Sequence, residues 1–245
     1  MAHPGGKIRL YVSSDLYAGG GVPLNPDQAH YLFRVMRQSA GGMLTVFNGR
    51  DGAWAAEITE AGKKTGLLTA REQTAPQVSP PDLTLLFAPI KKARTDFIVE
   101  KATELGARRV QPVMTRYTNS ERLRIDRLQA HAVEAAEQCG GTFVPEVREP
   151  VKLDAVLDSW DADRRLMFCD EARHAGPAQT VLDGYVPGPW AILTGPEGGF
   201  APEEAERLRK QDYVVPVTLG PRILRADTAV AAAISVWQTV LGDWQ

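Results

Sequence analysis

The sequence has few cysteines, and none of them sits in a pattern that binds metal. Cys139 and Cys169 lie far apart with no CxxC pair, and the four histidines form no zinc-ligand spacing. This argues against a disulfide-stabilised secreted domain and against a metalloenzyme. We predict two buried free thiols in a reducing compartment and no bound metal.

Long apolar runs and several common catalytic signatures are also missing. No stretch approaches the roughly 20 apolar residues of a membrane helix, and the start of the sequence lacks the apolar core of a secretory signal. There is no P-loop, no GxGxxG after a strand and no GxSxG elbow. We therefore expect a cytoplasmic protein with no membrane partner that uses none of these sites.

The charge is unevenly distributed. The net charge of −2 argues mildly against a nucleic-acid partner, because a basic domain is the usual footprint of such a partner. Residues 91–131, however, carry ten Lys and Arg against five Asp and Glu, and residues 1–73 carry eight against six. A locally basic face on a neutral protein still binds phosphates, with salt-sensitive affinity.

Residues 1–73 are typical of a small β domain. Glycine turns separate three strand-like runs, and His30–Arg37 is predicted as a short helix between them. Several short strands in a small space favour a barrel. Residues 74–81 form a proline-rich linker, and residues 82–245 form the second domain. The predicted strands are Lys7–Val12, Met43–Phe47 and Ala53–Glu60.

Residues 82–245 change pattern and predict a mainly parallel α/β domain. Continuous apolar runs, typical of buried parallel strands, alternate with helix-like segments. The predicted strands are Leu83–Ile90, Arg109–Met114, Leu166–Cys169, Trp190–Thr194 and Val214–Leu219. The predicted helices are Thr95–Leu105, Asp126–Cys139, Pro202–Lys210 and Ala229–Leu241, the last with Asp227 or Thr228 as its cap. This last helix is apolar nearly all round, which favours either a homodimer interface or an internal core position.

Two glycine-bearing loops follow the last two predicted strands. They span Leu193–Phe200 and Leu219–Arg225. In open α/β sheets ligands bind beyond the carboxyl ends of the strands, so these loops are candidate ligand sites. Glycine allows close backbone approach, and proline stiffens the turns. Tight strand–helix turns without a ligand are the alternative.

Five segments resemble, in order, the RsmE family, which belongs to the SPOUT superfamily and methylates N3 of a uridine in 16S rRNA. The matching segments are His30–Arg37, Ile90–Gly106, Glu134–Gly140, Thr194–Gly199 and Leu219–Arg225. The resemblance implies a PUA-like N-terminal barrel, a C-terminal trefoil knot, a homodimer and S-adenosylmethionine as the methyl donor. It assigns the donor to the two loops, at Leu193, Thr194, Gly195, Pro196, Glu197, Gly199, Leu219, Gly220, Ile223, Leu224 and Arg225.

Methylation at N3 of uracil requires removal of a weakly acidic proton and positioning of two reactants. Arg225 beside the second loop is our candidate for stabilising the uracil anion. Asp227 is a candidate for orienting Arg225 or accepting the proton, and a plain helix cap is the alternative. Asp227 stands where the family often has a glutamate, and Gly141 where it often has a polar or basic residue, which affects details of substrate contact. Ala201 replaces the usual serine or threonine cap, which should weaken one helix cap modestly.

Basic residues near these segments predict an RNA surface. Arg34 and Arg37 are three residues apart and would share a helix face, and three more basic residues follow the first strand of the second domain. The candidates for phosphate contact are Arg9, Arg34, Arg37, Lys91, Lys92 and Arg94. Other interpretations are a ribose 2′-O-methyltransferase with the same cofactor fold and a non-catalytic RNA-binding ribosome assembly factor.

Overall fold

The chain forms two compact units. The computed structural model describes residues 6–119, 122–170 and 175–245. The first unit contains the chain up to Ser79 together with Ala136–Val144, and the second contains Pro80–Ala135 and Pro145–Gln245. No helix in these described ranges is long and apolar enough to cross a membrane.

The first unit is built on a five-stranded sheet with the order β1-β3-β4-β5-β2. β1 and β3 are parallel and the other neighbours are antiparallel. Leucine, valine and alanine side chains from one face of this sheet form the core of the unit. The strands are β1 (Arg9–Tyr11), β2 (Gly21–Leu24), β3 (Met43–Phe47), β4 (Ala53–Ala61) and β5 (Gly66–Ala75).

All three strands predicted in this unit exist, and two strands were missed. In β2, only Val22 and Leu24 are buried, so four residues give too short an alternation to detect. β5 continues to Ala75, into the segment predicted as a linker, because its last residues pair with β4.

The predicted helix over residues 30–37 was placed too late in the chain. Helix α1 (Pro26–His30) is capped by Asn25, whose side chain accepts a hydrogen bond from the backbone N–H of Gln28. A π-helical turn over Tyr31–Val35 follows it. Arg37 lies beyond the helix in the left-handed region at φ 52°. The prediction that Arg34 and Arg37 share a helix face is therefore wrong.

The segment Ala136–Val144 packs into the first unit and engages Arg9. One guanidinium nitrogen of Arg9 donates a 2.7 Å hydrogen bond to the carbonyl of Gly141, and the guanidinium lies 5.0 Å from the centre of the Phe47 ring. The backbone N–H of Tyr11 donates to Glu137 at 2.7 Å. Burial lowers the pKa of Arg9, although Cys139 and Glu137 oppose that effect.

The second unit is built on a parallel sheet with the order β12-β10-β11-β6-β7-β8, and β9 also pairs with β7. Its central strands are fully buried, as expected when helices cover both faces. The strands are β6 (Leu83–Phe87), β7 (Arg109–Met114), β8 (Glu146–Val147), β9 (Val151–Lys152), β10 (Arg165–Cys169), β11 (Trp190–Thr194) and β12 (Val214–Val217). The predicted mainly parallel α/β class is confirmed.

The predicted helices of this unit are confirmed, with boundaries that move by a few residues. Each of these helices follows a strand or a turn in the chain. They are α2 (Lys92–Glu104), α3 (Ile125–Cys139), α4 (Leu153–Asp158), α5 (Ala178–Leu182), α6 (Pro202–Arg209) and α7 (Ala226–Leu241). The short helices α4 and α5 were missed because each spans less than two turns.

Helix α7 packs one face into the core of the second unit. Its buried residues recur at helical spacing and include Val230, Ile234 and Trp237. The cap predicted at Asp227 or Thr228 is wrong, because Arg225 already takes the extended N-cap conformation and the helix starts at Ala226. The burial predicted for the two cysteines is also wrong, since Cys139 is exposed at the end of α3 and Cys169 is partly exposed at the end of β10.

Candidate functional site

The two glycine-bearing loops lie at the same edge of the parallel sheet. β11 pairs with β10, and β12 pairs with the other side of β10, so the loops after β11 and β12 both begin at the carboxyl edge. The end of β6 joins them there, because the backbone N–H of Ala88 donates to the carbonyl of Thr194 at 3.1 Å. The two predicted loops therefore begin at one edge of the sheet, and ligand binding there stays a prediction.

The first loop is shaped by close packing at Gly195. A Cβ atom at this position would lie 2.7 Å from the ring of Phe200, which is itself buried and packs edge-on against Phe168 at 5.1 Å between ring centres. Gly199 has φ 71° and donates its N–H to the carbonyl of Pro196 at 2.9 Å, which closes a turn. Glu197 and Gly198 are exposed at the tip of this turn.

The second loop encloses a small cavity of about 80 Å³. Gly220, with φ 118°, allows the chain to turn after β12, and the hydroxyl of Thr218 hydrogen-bonds to the backbone of the same turn. Leu219, Ile223 and Leu224 provide an apolar lining. Cys169 and Asp170 at the end of β10 provide the polar side.

The residues of both loops fit a ligand with an apolar ring and polar ends. Small-molecule sites usually enclose about 300–1,000 Å³, so the cavity would hold only one end of S-adenosylmethionine and the rest would lie along the loops. The side chain of Ile223 is 83% exposed at the rim. Such an apolar side chain beside a cavity suits contact with a purine face. The close approach at Gly195 leaves backbone groups accessible to a ligand.

The two candidate catalytic residues stand at the start of α7. The side chain of Arg225 is exposed and has no hydrogen-bond or ion-pair partner among the described residues, while its backbone carbonyl accepts from the N–H of Ala229 at 2.7 Å. Asp227 accepts a 3.0 Å hydrogen bond from the backbone N–H of Thr228, and its charged neighbour is Arg94 rather than Arg225. Among the described residues, nothing neutralises the exposed guanidinium of Arg225.

The predicted RNA contacts fall into three groups. In the second unit, Lys91 and Lys92 are exposed at the start of α2, at the same sheet edge as the loops, and Arg94 is half-buried beside Asp227. In the first unit, Arg34 and Arg37 are exposed. The guanidinium of Arg9 makes the internal contacts described above, so we leave Arg9 out of the RNA surface that we propose below.

Two residues that the sequence analysis missed position this site. One carboxylate oxygen of Glu204 accepts a hydrogen bond from the backbone N–H of Arg116 at 2.8 Å, and the other accepts from that of Ala201 at 3.0 Å. Glu204 thereby joins the loop after β7 to the start of α6, where Ala201 has no side-chain cap. The neighbouring Tyr117 is 49% exposed, and its Cβ would lie 3.4 Å from a Cβ built at Gly198. The glutamate three residues after Ala201 was the available sequence signal.

Comparison with protein families and solved structures gives a consistent result. A family model described as an RNA methyltransferase domain matches residues 77–238, and one described as an RNA methyltransferase PUA domain matches residues 24–70. The ribosomal RNA small subunit methyltransferase E of Synechocystis is 31% identical over 93% of this chain and 76% of its own length. That of Rickettsia conorii is 29% identical over 93% of both chains.

Two solved structures share the fold over nearly the whole chain. The ribosomal RNA small subunit methyltransferase E of Neisseria gonorrhoeae, bound to S-adenosylmethionine, has a TM-score of 0.85 and 27% identity and covers 97% of this chain and 99% of its own. A putative methyltransferase of Legionella pneumophila, also with this cofactor, has a TM-score of 0.81 and 28% identity, covering 96% and 98%. The chain therefore belongs to the RNA methyltransferase family, in the group represented by ribosomal RNA small subunit methyltransferase E.

Proposed function

We propose that this protein transfers a methyl group from S-adenosylmethionine to N3 of a uridine in 16S rRNA. The observation that carries the proposal is the pair of glycine- and proline-bearing loops at one edge of the parallel sheet, with the exposed side chain of Arg225 beside them. The similar proteins of Neisseria gonorrhoeae and Legionella pneumophila bind S-adenosylmethionine in the same fold.

The proposed reaction is a direct displacement. The N3 proton of uracil passes to a base, the N3 electron pair attacks the methyl carbon, and the bond from that carbon to sulfur breaks to leave S-adenosylhomocysteine. S-adenosylmethionine supplies an electrophilic methyl group. Arg225 stabilises the negative charge that develops on the uracil ring. Asp227 accepts the proton or holds the start of α7 in position through Arg94.

The donor would be held by the residues that the family resemblance assigns to the two loops. Leu219, Gly220, Ile223 and Leu224 line the cavity of the second loop. We propose that Leu193, Thr194, Gly195 and the turn that Gly199 closes onto Pro196 contribute the rest of the donor site from the first loop. The trefoil knot that the resemblance to the SPOUT superfamily implies stays a prediction.

The RNA would be held by both units. We propose that Arg34 and Arg37 of the predicted N-terminal domain (residues 1–73) and Lys91, Lys92 and Arg94 of the predicted methyltransferase domain (residues 82–245) contact its phosphates. Their long cationic side chains are exposed or half-exposed, as phosphate contacts require. We propose that the substrate is the small ribosomal subunit in the cytoplasm, so that the modification is part of ribosome biogenesis.

We also propose a homodimer that pairs through α7. One face of α7 is buried in its own unit, while small side chains such as Ala232, Ser235 and Val236 on the other face are only partly buried. Trp237 lies in the core and so cannot contribute to the pairing, whereas Trp244 is 48% exposed. Sedimentation of Val236→Glu tests this, with Val186→Glu, at a 78% exposed position outside α7, as the control. Only the first variant should become monomeric.

Methylation of 16S rRNA from a strain lacking the modification tests the activity. The wild-type protein should produce N3-methyluridine, detected by mass spectrometry of the nucleosides. Arg225→Ala should reduce the rate at saturating S-adenosylmethionine by about a hundredfold, and the Kd for S-adenosylmethionine is measured separately. A ribose 2′-O-methyl product would assign the alternative transferase activity. Donor binding without any methylated product would indicate a non-catalytic assembly factor.

A further inference from the structure

A second cavity, of about 220 Å³, lies between the starts of α2 and α3, and four of its eight lining residues are basic. We refer to this cavity as the basic pocket. Two leucines complete a lining whose polar members are Lys92, Thr95, Asp96, Arg122, Arg124 and Arg127. Of these six residues, only Lys92 is among the RNA contacts predicted from the sequence.

The basic pocket keeps a positive charge after its internal ion pairs are formed. Arg127 pairs with Asp96, and Arg124 pairs with Asp126 at 2.6 Å on the exposed rim. Lys92 and Arg122 have no ion-pair partner among the described residues. Four cations therefore face two carboxylates, and two positive charges remain for a ligand.

The basic pocket lies at the sheet edge that carries the proposed methyl-transfer site. Thr95 in its wall exchanges hydrogen bonds of 3.0–3.1 Å with the backbone of Ile90, just after β6. The residue before Thr95, Arg94, approaches Asp227 at the start of α7. A strand bound in the basic pocket would thus pass close to Arg225.

The start of α2 adds backbone donors to these side chains. This 13-residue helix has Lys91 at its N-cap and no side-chain cap, so its first N–H groups are not satisfied by a neighbouring side chain. The N-terminal end of a helix favours an anion. Guanidinium and ammonium groups around uncapped N–H groups form the donor set that phosphate oxygens prefer.

We propose that the basic pocket binds a backbone phosphate of the substrate RNA, with Arg122 and Lys92 as its direct ligands. Arg127, held in place by Asp96, and Arg124 add charge around it. This inference rests on the proposed function for the identity of the RNA, but the binding step does not require that the methyl transfer occurs. Its role is to fix the register of the strand, since a phosphate contact positions RNA without reading its sequence.

The dependence of RNA affinity on salt tests this site. The double variant Arg122→Gln/Arg124→Gln should bind a 16S rRNA fragment about tenfold more weakly at low salt, and its plot of log affinity against log salt should be shallower by about 0.7–1. The loss should be similar for RNA fragments of different sequence. Arg122→Lys/Arg124→Lys should recover most of the affinity.

The control variant Lys101→Gln/Arg148→Gln also removes two cations from exposed ion pairs, at the end of α2 and beside β8. It should keep the wild-type salt dependence. An Arg122→Gln/Arg124→Gln variant with the wild-type salt slope would overturn the proposal. Binding of inorganic phosphate by the wild-type protein, together with an RNA affinity that the double variant leaves unchanged, would also overturn it. If the salt slope of the double variant is shallower but the wild-type protein forms no N3-methyluridine, the proposed function is wrong and phosphate binding in the basic pocket is supported.

Discussion

The Nε atom of Arg94 in α2 lies 3.9 Å from a carboxylate oxygen of Asp227 in α7. Both side chains are more than half buried, at 35% and 19% exposure, so this contact is less screened than a surface ion pair. It brings the basic start of α2 to the start of the helix that carries Arg225. Asp227 therefore has a charged neighbour other than the arginine it was expected to orient.

Replacing Asp227 by asparagine should separate a catalytic role from a helix-stabilising one. If the carboxylate accepts the N3 proton, kcat should fall by about a hundredfold. Glu203→Gln removes an acidic residue from the first turn of α6 and serves as the control. Equal kcat values for Asp227→Asn and wild type would show that Asp227 only stabilises the first turn of α7.

Gly195→Ala should impair the cofactor loop. The added Cβ would meet the ring of Phe200 at 2.7 Å, and Phe200 is held by Phe168, so the loop must shift. Overpacking of this kind costs about 1–3 kcal/mol of unfolding free energy. Titration calorimetry should show weaker binding of S-adenosylmethionine. Gly188→Ala, where nothing lies within 4 Å, should behave as wild type, and normal affinity in Gly195→Ala would contradict this account.

Asp82 should make the second unit sensitive to acid. Burial alone raises the pKa of Asp82, but hydrogen bonds from Arg164 (2.9 Å) and Arg109 (2.7 Å) outweigh it and lower that pKa. Because the folded-state pKa lies below the unfolded value, the stabilisation is complete above about pH 4 and is lost as the pH falls through the folded-state pKa.

Asp82→Asn should therefore lower the free energy of unfolding near pH 7 by about 1–3 kcal/mol and flatten its decline below pH 4. Urea denaturation at several pH values measures both effects. Asp15→Asn, which breaks an exposed pair with Arg50, should change stability by less than about 1 kcal/mol. An unchanged pH dependence in Asp82→Asn would show that the pair with Arg164 and Arg109 is not what stabilises the fold in this range.

Charge reversal of Arg34 and Arg37 should weaken binding of 16S rRNA. Both side chains are exposed, so the substitution to glutamate adds repulsion without disturbing the core. We expect a loss of at least about tenfold in affinity at low salt. Lys63→Glu/Lys64→Glu makes the same change in net charge in the turn between β4 and β5 and should have a smaller effect. Equal affinities would remove Arg34 and Arg37 from the RNA surface.

The long elements of the fold could be predicted because their patterns are locally determined. β7 and β11 have the predicted bounds, since each is a continuous apolar run that ends at a polar or glycine-bearing turn. β2 and the π-helical turn after α1 could not be predicted in this way. β2 is defined by pairing with β5, which is more than 40 residues later in the chain, and the π-helical turn depends on how Leu32 is buried.

The parts of the candidate site that are formed by backbone turns could be predicted from the sequence. The two loops were found because glycine and proline determine turn geometry directly, and Arg225 was found by its position after the second loop. Glu204 and Arg127 were missed because their roles depend on contacts with residues distant in sequence, Arg116 and Asp96 respectively. The internal role of Arg9 likewise depends on Gly141, 132 positions away.

The return of residues 136–144 to the first unit means that no single cut in the chain releases an intact N-terminal domain. A fragment ending at Ser79 would lack Ala136, which packs with Phe47 and Ala53, and would leave the guanidinium of Arg9 without its carbonyl acceptor. Expression of such a fragment should give a soluble domain only when the 136–144 peptide is added back or fused behind it.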